Sequence, residues 1–181
     1  MLSIFGLLAT VAAGCGSDGG APGGAKTPAS DKTAGGGEGK GVKPGDKAPT
    51  FTIDSMNGAG KMTIAPGKVT IVDFWATWCE PCKKSFPKLQ ELYVKYKSSG
   101  LEIIAISVDD DKKGVPGFVK ANGDAKFLVV WDKDHAVANA FKPDSMPTTF
   151  ILDKSGNIAH THKGYRDGEI DEMEKEIKAL F

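Results

Sequence analysis

Residues 75–87 read WATWCEPCKKSFP, with Cys79 and Cys82 three positions apart where an apolar run meets a segment of helical periodicity. Thiols at that spacing can supply half of a metal site, close a small disulfide, or trade electrons with a disulfide elsewhere. With Cys15 the chain has three cysteines, too few for a disulfide-stapled mini-domain. A metal site would need His135, His160 or His162 from the far end of the chain to complete tetrahedral coordination. His160, His162 and Ile158 share one face of a strand by alternation, which a solvated or half-buried surface explains, and no metal is expected. Redox chemistry is the reading that a lone C-x-x-C between strand and helix patterns supports. Asp73 is the other chemically notable residue: a carboxylate inside an apolar run is costly unless paired or protonated, which makes it a functional candidate.

The elements that must hold these residues alternate along the chain. Lys68–Ala76 (KVTIVDFWA) is a nearly continuous apolar, β-branched run, the mark of a strand covered on both faces. Phe86, Leu89, Tyr93 and Tyr96 then recur at helical spacing, and Ser98-Ser99-Gly100 stops the helix. A second buried strand is predicted over Leu101–Val108, a short helix near Val115–Ala121, a third strand over Phe127–Trp131, and a helix over Asp134–Phe141 begun by an acidic cap. Thr148–Leu152 and Asn157–Lys163, joined by Asp153-Lys154-Ser155-Gly156, form a predicted antiparallel hairpin, and Ile170, Met173, Ile177 and Leu180 stripe a last helix. No internal repeat is visible. The three consecutive aspartates at 109–111 are expected to be a solvated loop cap.

Outside this region the sequence changes character. Residues 1–14 (MLSIFGLLATVAAG) carry no charge and are too few to span a bilayer as a helix, which takes about 20, so they read as the apolar part of an export signal. The signal ends in Ala12-Ala13-Gly14-Cys15, which resembles the lipobox of bacterial lipoproteins, although Ala12 stands where Leu is usual and no Lys or Arg precedes the run. That likeness implies lipidation of Cys15, hence a membrane anchor and residence in the cell envelope, facing the periplasm or extracytoplasmic space. Residues 16–41 hold 10 glycines in 26 positions and no large apolar side chain; such a segment cannot bury enough surface to offset its ordering entropy and is expected to be a disordered tether. Residues 42–181 then make one domain. With 23 basic and 23 acidic residues the chain offers no charge imbalance that would favour nucleic acid.

The order β-α-β then β-β-α, with C-x-x-C where the first strand meets its helix, is that of the thioredoxin fold. WATWCEPCKKSFP, the preceding VTIVDFW, SMPTTFILD near residue 150 and the opening GDKAPTFTI together resemble the TlpA/ResA-like group of membrane-anchored thiol-disulfide oxidoreductases, over about residues 44–181. The resemblance implies an α/β thioredoxin fold, with a central mixed β-sheet flanked by helices, an N-terminal β extension and a helical insertion after the second core strand. It also implies one site built from both motifs, with Pro147 in a cis peptide bond facing the cysteines and Met146 offering its backbone to a client strand. Clients would be exported proteins with disulfides, the recharging partner a membrane-embedded thiol electron donor, and one client process cytochrome c maturation. Asp73 matches the acid of thioredoxin's own V-D-F-W-A segment, where it is thought to relay a proton to or from the buried cysteine. The TlpA/ResA-like group more often has Asn there and a Glu three residues after its second cysteine, where this chain has Ser85.

The chemistry expected of the site follows from its position. Cys79 at a helix start gains from unpaired N–H groups, the macrodipole, Lys83 and Lys84, with Glu80 opposing, so it is the attacking thiol. Cys82, one turn on, is the resolving thiol. Pro81 suits the first turn, where its missing N–H costs nothing. Trp78 is expected at the docking surface and Trp75 in the core. The dithiol–disulfide pair itself carries the electrons, so no bound cofactor is expected. A disulfide oxidase would use the same residues, with direction set by potential. A peroxiredoxin-type peroxidase typically requires P-x-x-x-T/S-x-x-C, and Val72 and Ala76 occupy its first two defined positions; a copper chaperone of the related group would have C-x-x-x-C.

Overall fold

The computed structural model describes residues 41–181 apart from residue 59. The expected export signal, Cys15 and most of the tether lie outside the described residues.

Strand β3 (Val69–Trp75) is buried along its whole length. Its alternation sends Val69, Ile71, Asp73 and Trp75 to one face and Thr70, Val72 and Phe74 to the other. It runs parallel to β4 (Leu101–Ser107) and antiparallel to β6 (Thr148–Leu152). Outside these, β4 pairs in parallel with β5 (Leu128–Trp131), and β6 pairs with β7 (Ile158–Lys163) in the predicted hairpin. The sheet order is therefore β5-β4-β3-β6-β7, mixed as expected, with β3 at its centre. The hairpin turn is fixed by Asp153, whose carboxylate accepts from the N–H of Ser155 (2.8 Å) and Asn157 (2.9 Å).

Helices α1 (Glu80–Tyr96), α2 (Val115–Ala121) and α4 (Glu169–Leu180) contribute to the apolar cluster on the first face, and α3 (Ala136–Phe141) to the cluster on the second. In the first cluster Phe86 is the hub: its ring lies 4.9 Å from Trp75, 5.5 Å from Phe118 and 5.1 Å from Phe127. The buried stripe of α1 is Cys82, Ser85, Phe86, Leu89 and Leu92, whereas Tyr93 and Tyr96 lie at its margin. A short 3-10 turn follows α1 and ends at Gly100, whose φ of 99° is left-handed and natural only for glycine. The cap of α3 differs from expectation: Asp132, not Asp134, accepts from the Val137 and Ala138 N–H groups at 3.2 and 2.7 Å, while His135 occupies the N-cap with positive φ. Aspartates two residues apart look alike in sequence, and only the buried one can reach the helix end.

The N-terminal β extension is a small antiparallel pair, β1 (Ile53–Asp54) and β2 (Lys61–Met62). It continues into the main sheet's edge: Ser55 bridges Val130, Met56 N–H donates to the Val129 carbonyl (2.8 Å), and the Asn57 side chain bonds the Val129 N–H (2.9 Å) and Phe127 carbonyl (2.8 Å). At the opposite edge, residues 45–48 bond to Gly156 and Ile158 at the start of β7. The helical insertion after β4 is α2, and it brings with it β5, which forms the edge of the sheet. Among the described residues no helix is long and apolar enough to cross a membrane.

Candidate active site

The end of β3 delivers Ala76-Thr77-Trp78 to the first turn of α1. Cys79 is the N-cap residue, in extended conformation, and its Sγ accepts the Cys82 N–H at 3.2 Å. Cys79 N–H donates to the Ala76 carbonyl (3.1 Å), which tightens the approach. The two cysteines form a disulfide with their Cα atoms 5.3 Å apart. An N-cap sulfur that already receives a backbone N–H sits where a helix favours negative charge.

Cys82 is fully enclosed and Cys79 nearly so, while Trp78 beside it is 68% exposed, one of two exposed large hydrophobic residues among those described. Pro81 lies in the first turn. Glu80 points to solvent, where its ion pair with Lys83 (2.7 Å) holds its carboxyl below the usual range. Its opposition to a Cys79 thiolate is thereby blunted.

Met146-Pro147 is a cis peptide. The register of β6 on β3 pairs Thr148 with Phe74, which puts Pro147 level with the end of β3, where the cysteine turn begins. Met146 packs on the cluster that contains both cysteines. The Pro147 carbonyl is taken by the Gly164 N–H (2.7 Å), and the Thr148 hydroxyl closes the turn onto the Ser145 carbonyl (2.6 Å).

Asp73 is 1% exposed on the face that α1 covers. Its Oδ1 accepts the Thr149 hydroxyl at 2.6 Å, and its Oδ2 has no partner among the described residues. Burial raises its pKa from 3.8 to about 7, against a smaller lowering by Thr149. Ser85 is also buried, with its hydroxyl on the Cys82 carbonyl (3.3 Å), so it brings no ionisable group to the site. The structure thus gathers Trp78, Cys79, Glu80, Pro81, Cys82, Met146 and Pro147 around the end of β3, with Asp73 two residues back along that strand.

Two features depart from the sequence reading. His162 is neither solvated nor half-buried: it is buried, its Nδ1 2.5 Å from Glu169 and its Nε2 2.6 Å from Glu176. His162, Glu169 and Glu172 have ligand-type atoms within 4.8 Å of one another, and Arg166 answers both carboxylates at 3.1 and 2.9 Å. The His162 hydrogen bonds fasten β7 to α4, and Arg166 adds ion pairs from the turn between them. Asp109, expected in a solvated cap, is buried and bonded to Thr77. Neither was legible, because the partners of His162 come from a later helix and Asp109 begins a run of three identical residues.

A C-x-x-C disulfide at the N-cap of a helix, level with a cis-proline on the central strand's neighbour, defines a thioredoxin-fold thiol-disulfide oxidoreductase. Comparison with known proteins agrees: the chain belongs to the Redoxin family, whose pattern matches residues 43–179. It is 37% identical over 124 residues to the thiol-disulfide oxidoreductase ResA of Bacillus subtilis (strain 168), covering 68% of this chain and 69% of that one. Among solved structures it is similar to a Chlorobium tepidum protein assigned as the thiol:disulfide interchange protein DsbE, with TM-score 0.72 and 30% identity over 77% of this chain and 98% of that one. A thioredoxin family thiol:disulfide interchange protein from Chlorobium tepidum TLS aligns with TM-score 0.65 and 26% identity over 78% and 99% of the respective chains.

Proposed function

We propose that this oxidoreductase is a lipid-anchored reductase of the cell envelope that reduces disulfides in exported proteins. The observation that carries its thiol-exchange chemistry is the Cys79 sulfur at the α1 N-cap with the Cys82 N–H directed at it, beside the exposed Trp78. In the reduced enzyme the Cys79 thiolate attacks one sulfur of the client's disulfide, and the other client sulfur leaves as a thiolate. Cys82 then gives up its proton and attacks Cys79 Sγ, which forms the 79–82 disulfide and releases the second client thiolate. Asp73, with its pKa near 7, takes that proton. Met146 lends its backbone to the client segment beside the cis-proline, and Trp78, Glu80 and Pro81 shape the entry. The two sulfurs hold the electron pair, so the cycle uses no bound cofactor.

A reductase in an oxidising compartment has to be recharged, and the resemblance to the TlpA/ResA-like group implies a membrane-embedded thiol electron donor for that step. The lipobox-like Ala12-Ala13-Gly14-Cys15 and the Gly-rich residues 16–41 support an anchor that keeps the domain near that carrier. The resemblance of its motifs to the TlpA/ResA-like group makes apocytochrome c one client to test. The test is the reduction potential of the Cys79–Cys82 couple in defined redox buffers. A value near thioredoxin's, about −270 mV, supports a reductase, and a value near −120 mV overturns it in favour of an oxidase. Cys82→Ser should accumulate a mixed disulfide through Cys79 with a disulfide-containing client, and Cys79→Ser should form none.

A further inference from the structure

Asp109 is a buried carboxylate, 4% exposed, with no ion pair among the described residues. Its partners are neutral donors from the turn after β3 and from the end of β4. The Thr77 N–H donates to both carboxylate oxygens at 3.1 Å, the Thr77 hydroxyl to Oδ1 at 2.6 Å, and the Ser107 hydroxyl to Oδ2 at 2.7 Å. Enclosing a charge without a counter-ion is expensive unless its hydrogen bonds fix something that matters. What they fix is the residue two before Cys79.

The β3–β4 ladder ends at Trp75 and Ser107, with one further bond from the Val108 N–H to the Trp75 carbonyl (2.9 Å). Beyond that point Thr77 is held by the Asp109 side chain, and Cys79 is then placed by its N–H bond to Ala76. The insertion joins the same residue. The Trp131 indole N–H donates to the Asp109 carbonyl (2.7 Å), Lys112 lies 5.7 Å over the Trp131 ring, and Gly114, just before α2, faces Thr77, where an added Cβ would make an ordinary contact of 3.4 Å with Cγ2.

We propose that Asp109 is a positioning residue for the nucleophile: by clamping Thr77 it sets the N-cap geometry of Cys79 and ties that geometry to the α2–β5 insertion. The proposal rests on the assignment of Cys79 as attacking thiol. With the clamp intact the Cys79 sulfur keeps the Cys82 N–H and the helix terminus; with the clamp lost the turn relaxes and the thiolate loses those donors. The same substitution also removes a negative charge, which alone would favour the thiolate. The two effects have opposite signs and can be separated.

The experiment measures the rate of Cys79 alkylation against pH in the reduced full-length protein, for Asp109→Ala, Asp109→Asn and Thr77→Val, together with client-reduction kcat/KM and Tm. Asparagine keeps an oxygen for Thr77 but no charge, and valine removes the hydroxyl but leaves Asp109 charged. Clamping predicts that the alkylation midpoint rises in Asp109→Ala, rises less in Thr77→Val, and falls slightly in Asp109→Asn, where the clamp is kept and the charge is lost. It also predicts that kcat/KM falls about tenfold in Asp109→Ala, equivalent to about 1.4 kcal/mol of transition-state stabilisation. Thr77→Ser, which restores the hydroxyl, should return the wild-type midpoint. Asn57→Ala, which breaks bonds to β5 away from the site, should lower Tm without moving it. Midpoints that fall in both Asp109 variants overturn the proposal in favour of a charge effect, and unmoved midpoints with a lowered Tm overturn it in favour of a structural role. If Asp109→Ala does not fold, Asp109→Asn and Thr77→Val still decide. A Cys79→Ser protein that still reduces clients would sink the nucleophile assignment instead, a distinct outcome.

Discussion

Asp73→Asn should make the protein more stable at alkaline pH and remove a slope from its stability profile. Burial raises the Asp73 pKa from 3.8 to about 7. Between those values the native state holds a proton that the unfolded chain has released, so stability falls as pH rises, by about 1.4 kcal/mol per unit. The contribution is whole below pH 3.8, is lost through pH 7, and levels off above it. From pH 5 to pH 8 the native protein should therefore lose about 2.5 kcal/mol that Asp73→Asn does not lose. Asparagine keeps an oxygen for the Thr149 hydroxyl, and its unpaired NH2 imposes an offset of about 1–3 kcal/mol that does not change with pH. Urea unfolding of the oxidised protein, followed by tryptophan fluorescence, reads the difference. At an m-value of about 2 kcal/mol/M, the gap between the two midpoints should change by about 1.2 M across that range. Other titrating groups are common to both proteins and cancel in the comparison. Parallel profiles from pH 5 to 8 would refute the reasoning, because an acid that titrates near its ordinary value has no proton to give or take at neutral pH. In the reduced enzyme the same substitution should flatten the pH dependence of mixed-disulfide resolution around pH 7.

Phe86→Ala opens a hole among Trp75, Phe118 and Phe127 and should cost about 3–5 kcal/mol, seen as a fall in Tm. His162→Ala removes the imidazole shared by Glu169 and Glu176 and leaves Glu169 with Arg166 alone; it should cost about 1–3 kcal/mol in denaturant unfolding, with β7 and α4 the first amides to gain hydrogen exchange. Trp78→Ala removes an exposed side chain and should change stability by no more than about 0.5 kcal/mol while lowering client-reduction kcat/KM, a split that circular dichroism and steady-state kinetics would show together.

The parts of the fold that were legible in the sequence are those with local causes. Lys68–Ala76 announces a central strand because both of its faces are buried, and the same continuity makes Asp73 conspicuous. The C-x-x-C and Met146-Pro147 stand out because few other arrangements use those residues in that order. What was not legible depends on contacts between distant segments. Asp132 and Asp134 are equivalent as caps until the chain folds, and three consecutive aspartates give no sign that Asp109 turns inward to Thr77 while Asp110 stays in solvent. His162 reads as one of an alternating pair, yet α4 decides its environment by supplying Glu169 and Glu176.

The segment before β3 also bears on solubility. A mixed sheet ends in two rows of unpaired backbone groups, and such rows can recruit a neighbouring molecule's strand and start aggregation. Here one chain segment covers part of both: residues 45–48 lie along the start of β7, and residues 55–57 lie along β5. The rest of β7 carries His160, His162 and Lys163, which resist flat pairing. Trimming the segment back to Val69 would thus leave the cysteines in place but bare hydrogen-bonding edges on either side of the sheet, and self-association would be the first property to change.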